Sequence, residues 1–179
     1  MSKQDTEFFS STANCYGYAA KCAAPGGSGT ACPAGEKPGS DAADYARRLR
    51  DGVLADGGAK VKLLLETTAQ TVTAGTIPTP RADWYLIALL VKAEGFHFVR
   101  RQLSHFGGEP FWKWKQGNGG VVERNAYDGG AKKWIRVTNA EFPRLVRGDL
   151  MTDMPGYRGW NQLYFFEVAK SGFDVTRYT

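Results

Sequence analysis

The order of patterns along this chain predicts an α+β fold, with helices first and an antiparallel sheet after. Capping residues followed by apolar residues at helical spacing occur early, around Cys15 and again from Ser40 to Leu49, while from Trp84 onward the pattern is mostly strand and turn. A length of 179 residues, 42% hydrophobic and 13% aromatic, suits a single domain spanning residues 1–179. Such a domain buries about 70% of its unfolded surface and needs no staples. No window reaches the ~20 apolar residues that a membrane span requires, so none is expected.

The first helix is expected to begin near Cys15, after the capping types Ser10, Ser11, Thr12 and Asn14, with Tyr16, Ala19, Ala20 and Ala23 as its apolar stripe. Cys15 then sits in the first turn, where unpaired N–H groups and the positive end of the helix favour an anion. That setting lowers a thiol pKa and leaves the Cys15 amide free to hold a developing oxyanion. Cys22 and Cys32 bracket a Gly-rich loop, and pairing them leaves Cys15 as the odd thiol; three reduced thiols is the other reading. Ser40 to Leu49 reads as a capped helix with acidic residues at its start and basic ones at its end. Gly57-Gly58 breaks the chain before a mixed segment, Lys60 to Glu66, and Pro78 and Pro80 mark the loop before the first long strand, Trp84 to Lys92. Ala93-Glu94-Gly95 is a hairpin turn that places His97 near the start of the next strand, with Phe96, Phe98 and Arg100 on one face and His97, Val99 and Arg101 on the other. Ile135 to Val137 and Gln162 to Val168 read as further strands, the last offering Leu163, Phe165 and Phe166 to the core.

Of the two histidines, His105 lies in a loop pattern and reads as exposed, whereas His97 reads either as a core histidine or as a catalytic base for Cys15. Taken in order, Asn14-Cys15-Tyr16-Gly17-Tyr18-Ala19, Glu36-Lys37-Pro38-Gly39, Asp51-Gly52-Val53, Phe96-His97-Phe98-Val99-Arg100-Arg101-Gln102, the Trp112 strand and the Arg124-to-Gly130 turn resemble a group of small bacterial papain-like cysteine hydrolases. Those read N-C-Y-x-Y-A, a P-G loop, D-G, H-F-Y-R-Q, W-S-H-K-P-G and a T-N-x-D turn. The resemblance implies a papain-like layout: a helix carrying the nucleophile, Cys15, packed on an antiparallel sheet carrying the general base, His97. It departs at Trp114, which stands where the family has its second histidine and whose indole donates but cannot accept a hydrogen bond. A hairpin centred near His105 and Phe106 puts His97 roughly opposite Trp114, with Gln116 on the same face two residues on. Gln116 is therefore the candidate orienter, with Glu109, Asn118 or a simple dyad as rivals.

The net charge of +5 comes from scattered Lys and Arg, read as solvated surface and as suited to an anionic polymer such as a bacterial cell wall. Trp112-Lys113-Trp114-Lys115 interleaves aromatic and basic residues, but a strand with one buried face gives the same pattern, so no nucleic-acid partner is expected. No zinc signature, P-loop or dinucleotide fingerprint appears, so neither metal nor cofactor is expected. The first residues lack an apolar h-region, which suggests export without an ordinary signal peptide and action in a target cell or periplasm, or else a cytoplasmic protein. The expected function is cysteine-dependent hydrolysis of an amide or peptide bond. The resemblance makes it a peptidoglycan peptidase or amidase, acting as a secreted antibacterial toxin and opposed by a cognate inhibitor or immunity protein. The alternatives are a protein-modifying deamidase or transglutaminase, and a non-catalytic binding module on the same fold.

Overall fold

The computed structural model describes residues 13–22, 30–33, 42–93, 95–102, 108–115, 121–122, 126–152, 160–175 and 177–178. Among these the architecture is α+β. Three helices occur: α1 (Cys15–Ala20), α2 (Ala42–Gly57) and α3 (Phe142–Arg147). The strands are β1 (Thr30–Ala31), β2 (Val61–Thr68), β3 (Trp84–Lys92), β4 (Gly95–Gln102), β5 (Phe111–Lys115), β6 (Val121–Val122), β7 (Ala126–Asp128), β8 (Lys133–Ile135), β9 (Val137–Thr138), β10 (Met151–Thr152), β11 (Gln162–Ala169) and β12 (Arg177–Tyr178). The main sheet runs β2-β11-β3-β4-β5-β6, with β9 also on β5, and all its pairings are antiparallel. A small sheet, β10-β7-β8, and the pair β1-β12 stand apart.

The centre of the main sheet is covered on both faces. Residues 85–91 of β3 are all buried. Alternation sends Tyr85, Ile87, Leu89 and Val91 into one core with Tyr16, Leu49, Phe98 and Phe166, and Leu86, Ala88 and Leu90 into a second core with Val99, Trp112, Trp114 and Phe165. Helices α1 and α2 cap the first core. The second is closed by α3, through Phe142, Leu145 and Val146, and by the segment carrying Ala69, Val72 and Ile77. Arg147 ties these covers together by donating to the carbonyls of Ala69 and Val72, at 3.0 and 2.8 Å.

Helix α2 runs on to Gly57, well beyond Leu49. Arg47 and Arg48 therefore do not end the helix but fold back on Asp44, one turn earlier, while Tyr45, Ala46, Leu49 and Val53 form the buried stripe. The expected strand over 135–137 is split at Arg136 between β8 and β9. Both faces of β5 are buried, not one, because α1 packs against Lys113 and Lys115 as the second core packs against Trp112 and Trp114.

Helix α1 has six residues, too few to hold itself together. Its N-cap is Asn14, whose side-chain oxygen accepts from the Tyr16 and Gly17 amides at 3.0 and 3.2 Å. Its final carbonyls all find donors: Cys22 N–H on Gly17 at 2.9 Å, Arg100 on Tyr18 at 2.8 Å, the Tyr85 hydroxyl on Ala19 at 2.9 Å and Phe173 N–H on Ala20 at 3.0 Å. Gly172 makes the last bond possible, for at φ +71° it lies so close that an added Cβ would fall 2.2 Å from the Ala20 oxygen. Gly172→Ala should therefore cost about 3 kcal/mol or more, read as a lowered denaturation midpoint, and a loss under 1 kcal/mol would show that α1 does not depend on this contact.

Candidate functional site

Cys15 opens α1 and is 7% exposed, packed in the first core. Three backbone amides, those of Phe98, Tyr16 and Cys15 itself, favour its anion, as does the Lys115 ammonium. Burial outweighs them and pushes the thiol up to about 11. The helix start therefore does not lower this pKa as expected, because the desolvation cost exceeds what a single helical turn and one cation return. Lys115 is itself fully buried, and burial holds its ammonium below the ordinary lysine range while Cys15 counters the shift. Arg100 and Lys113 are cross-strand neighbours on the same sheet face, and with Lys115 they line a basic wall beneath α1. At the other end of α1, Lys21 is drawn down to about 8 by burial and by Arg100.

His97 is not on that wall. It pairs across the strand with Leu90 of the second core, and its ring lies 6.5 Å from that of Trp114 and 6.4 Å from that of Trp160. Its chain neighbour Phe98 points to the first core, where it packs on Tyr16 at 4.7 Å. Cys15 packs with Phe98 in the first core, whereas the His97 ring lies among aromatic residues of the second, so strand alternation turns His97 to the other side of β4 from Phe98. Burial drives the imidazole down to about 3, so it is neutral across the physiological range. Among the described residues its Nε2, together with the indole nitrogens of Trp114 and Trp160, is buried without a hydrogen-bond partner.

The register of β4 on β5 pairs Arg100 with Lys113 and Gln102 with Phe111, which continued along the strands sets Val99, not His97, opposite Trp114. Gln116, Asn118 and His105 lie outside the described residues, and so does the turn at 124–125. Glu109 is exposed just before β5, at the far end of the strand pair from His97. Lys115, which the sequence reading took for part of an alternating surface strand, is the residue that spacing alone missed; its place two positions after Lys113 on the Phe98 face is the signal that could have found it. Cys22 and Cys32 are not joined in a disulfide. Among the described residues no three His, Cys, Asp or Glu side chains group as metal ligands, and no helix is long and apolar enough to cross a membrane. Compared with known families, curated proteins and solved structures, the chain matches none.

Two measurements follow from these environments. Below pH 6.5 the unfolded chain protonates His97 while the folded chain does not until about 3, so stability should fall by about 1.4 kcal/mol per pH unit across that window from this group. His97→Leu should remove that slope and leave neutral-pH stability within ~1 kcal/mol, since it deletes a buried nitrogen that lacks a partner; an unchanged slope would place the imidazole in water. Alkylation of Cys15 by iodoacetamide in the folded protein should be slow at pH 7 and climb towards about 11, and Lys115→Met should slow it further. A rate that levels off near neutrality would show a thiolate already formed.

Proposed function

We propose that the protein is a cysteine-dependent hydrolase of amide or peptide bonds, with Cys15 as nucleophile. The observation that supports this reading is the setting of the thiol at the start of α1, beside three backbone amides and the Lys115 ammonium, all of which favour sulfur as an anion. Displacement of the cover over Cys15 by substrate would relieve the burial that opposes ionisation, and the thiol proton then leaves to solvent. The thiolate attacks the carbonyl carbon, and the Cys15 amide donates to the resulting oxyanion. Lys115 holds its proton less tightly than an exposed lysine, so it can give that proton to the departing amine as the C–N bond breaks. Its neutral amine then takes a proton from the water that attacks the thioester, which frees the acid and returns the Cys15 thiolate and the Lys115 ammonium to their starting forms. His97 takes no part in these steps.

The finer reading rests on the resemblance described above and on the net charge of +5, which suits an anionic polymer. On it, the substrate is a peptidoglycan stem or cross-bridge, and the protein is an antibacterial toxin held in check by a cognate inhibitor. Deamidation or transglutamination of a protein would use the same thiol and differs only in what accepts the acyl group. A second reading, a non-catalytic binding module, is favoured by the 7% exposure of Cys15.

Incubation with purified peptidoglycan followed by mass spectrometry of the released fragments separates these readings. Wild type should release peptide fragments at a rate that rises with pH from 7 to 10. Cys15→Ala should abolish release, Lys115→Met should lower it by about 10²-fold, and His97→Leu should leave it within a few-fold. Ammonia without new peptide ends would point to deamidation, and full activity of Cys15→Ala would overturn the mechanism.

A further inference from the structure

The small sheet β10-β7-β8 has one face that the fold does not use. Its inner face carries Ala126, which is buried, and Ile135, which packs on the second core. Its outer face carries Met151, Tyr127 and Trp134, which the register sets side by side in one row. Trp134 is 56% exposed and Met151 59%, the large hydrophobic side chains left open among the described residues. The Tyr127 and Trp134 rings meet at 5.6 Å and 62°, edge towards face. Two strand spacings make the row about 10 Å long and a single side chain wide. It is too narrow for a protein interface, which buries about 800 Å² on each partner.

We propose that this row is a docking surface for a carboxylate-bearing polysaccharide, namely the glycan strand of the polymer whose peptides the enzyme is proposed to cut; the choice of polymer rests on that reading. The C–H face of a pyranose ring is apolar and stacks on an exposed indole, and the length of the row suits a disaccharide. The charge around it is complementary. Lys132 is exposed at the turn between β7 and β8 and Lys133 at the first position of β8, while the nearby carboxylate of Asp128 is already engaged by Arg144 at 2.9 Å and by the Gly130 and Ala131 amides. These bonds, that to Arg144 foremost, hold Asp128 down at about 2, so it keeps its charge neutralised by its own partner. A single-stranded nucleic acid would need cations along the whole path of its phosphates, whereas among the described residues of this sheet the lysines lie at the β7–β8 turn end.

Co-sedimentation with insoluble glycan strands stripped of their peptides tests the surface apart from the chemistry. Wild type and Cys15→Ala should pellet alike. Trp134→Ala and Tyr127→Ala, with unchanged far-ultraviolet circular dichroism, should each bind at least tenfold more weakly yet cleave a soluble stem peptide at the wild-type rate. Oligothymidylate should not displace the wild type. Retention of Trp134→Ala at the wild-type level, failure of the wild type to pellet, or displacement by oligothymidylate would overturn the proposal. A Cys15→Ala variant that still cleaves the soluble peptide would overturn the hydrolase reading alone.

Discussion

Everything around Cys15 depends on how the carbonyl end of a six-residue helix is satisfied. Such a helix leaves its last four carbonyls without internal donors, and burying them unpaired would cost several kcal/mol in all. The chain supplies the donors from far along the sequence: a guanidinium from β4, a hydroxyl from β3 and an amide at 173. Arg100 adds its charge where the helix is most negative, and its guanidinium also lies over the Tyr18 ring at 4.0 Å. These anchors fix the orientation of α1 on the sheet and with it the direction in which Cys15 points.

That orientation sets which side of β4 the thiol joins. With Tyr16 packed on Phe98, the odd-numbered neighbours of Phe98 must face the second core, and His97 goes there with Val99. Each residue then lives in a different medium. Cys15 meets amides and the Lys115 ammonium, which welcome a negative charge, whereas His97 meets aromatic rings and an aliphatic partner that penalise a positive one. A nucleophile and a base need a shared wall, and here the wall beside the thiol carries lysine.

Much of the fold could be read from local patterns. The strand over 84–92, the hairpin that follows it and the strand over 162–168 are legible because continuous apolar runs bounded by turn residues have few other uses. The cap at Asn14 and the stripe of Tyr16, Ala19 and Ala20 were legible for the same kind of reason. Register was not: sliding β4 along β5 changes every cross-strand partner, and composition does not encode the difference. Nor was the depth at which Lys113 and Lys115 lie, because alternation says that two faces differ without saying what covers each. The alternation that set His97 and Phe98 on opposite faces was in fact written in the sequence, and only the position of α1 shows which of the two Cys15 joins.

The insertion of β11 between β2 and β3 has a consequence for the order of assembly. Neither β2 nor β3 has its full set of partners until a strand made some seventy to a hundred residues later slips between them. Until then each presents an open backbone edge and an apolar face. Contacts so distant along the chain close slowly, because the entropy of the intervening loop must be overcome before any pairing is rewarded. During synthesis the nascent chain therefore passes through an interval with no finished sheet. In that interval α1 lacks the Phe173 amide on its last carbonyl, so the helix that holds Cys15 is not fully anchored until the chain beyond β11 has been made.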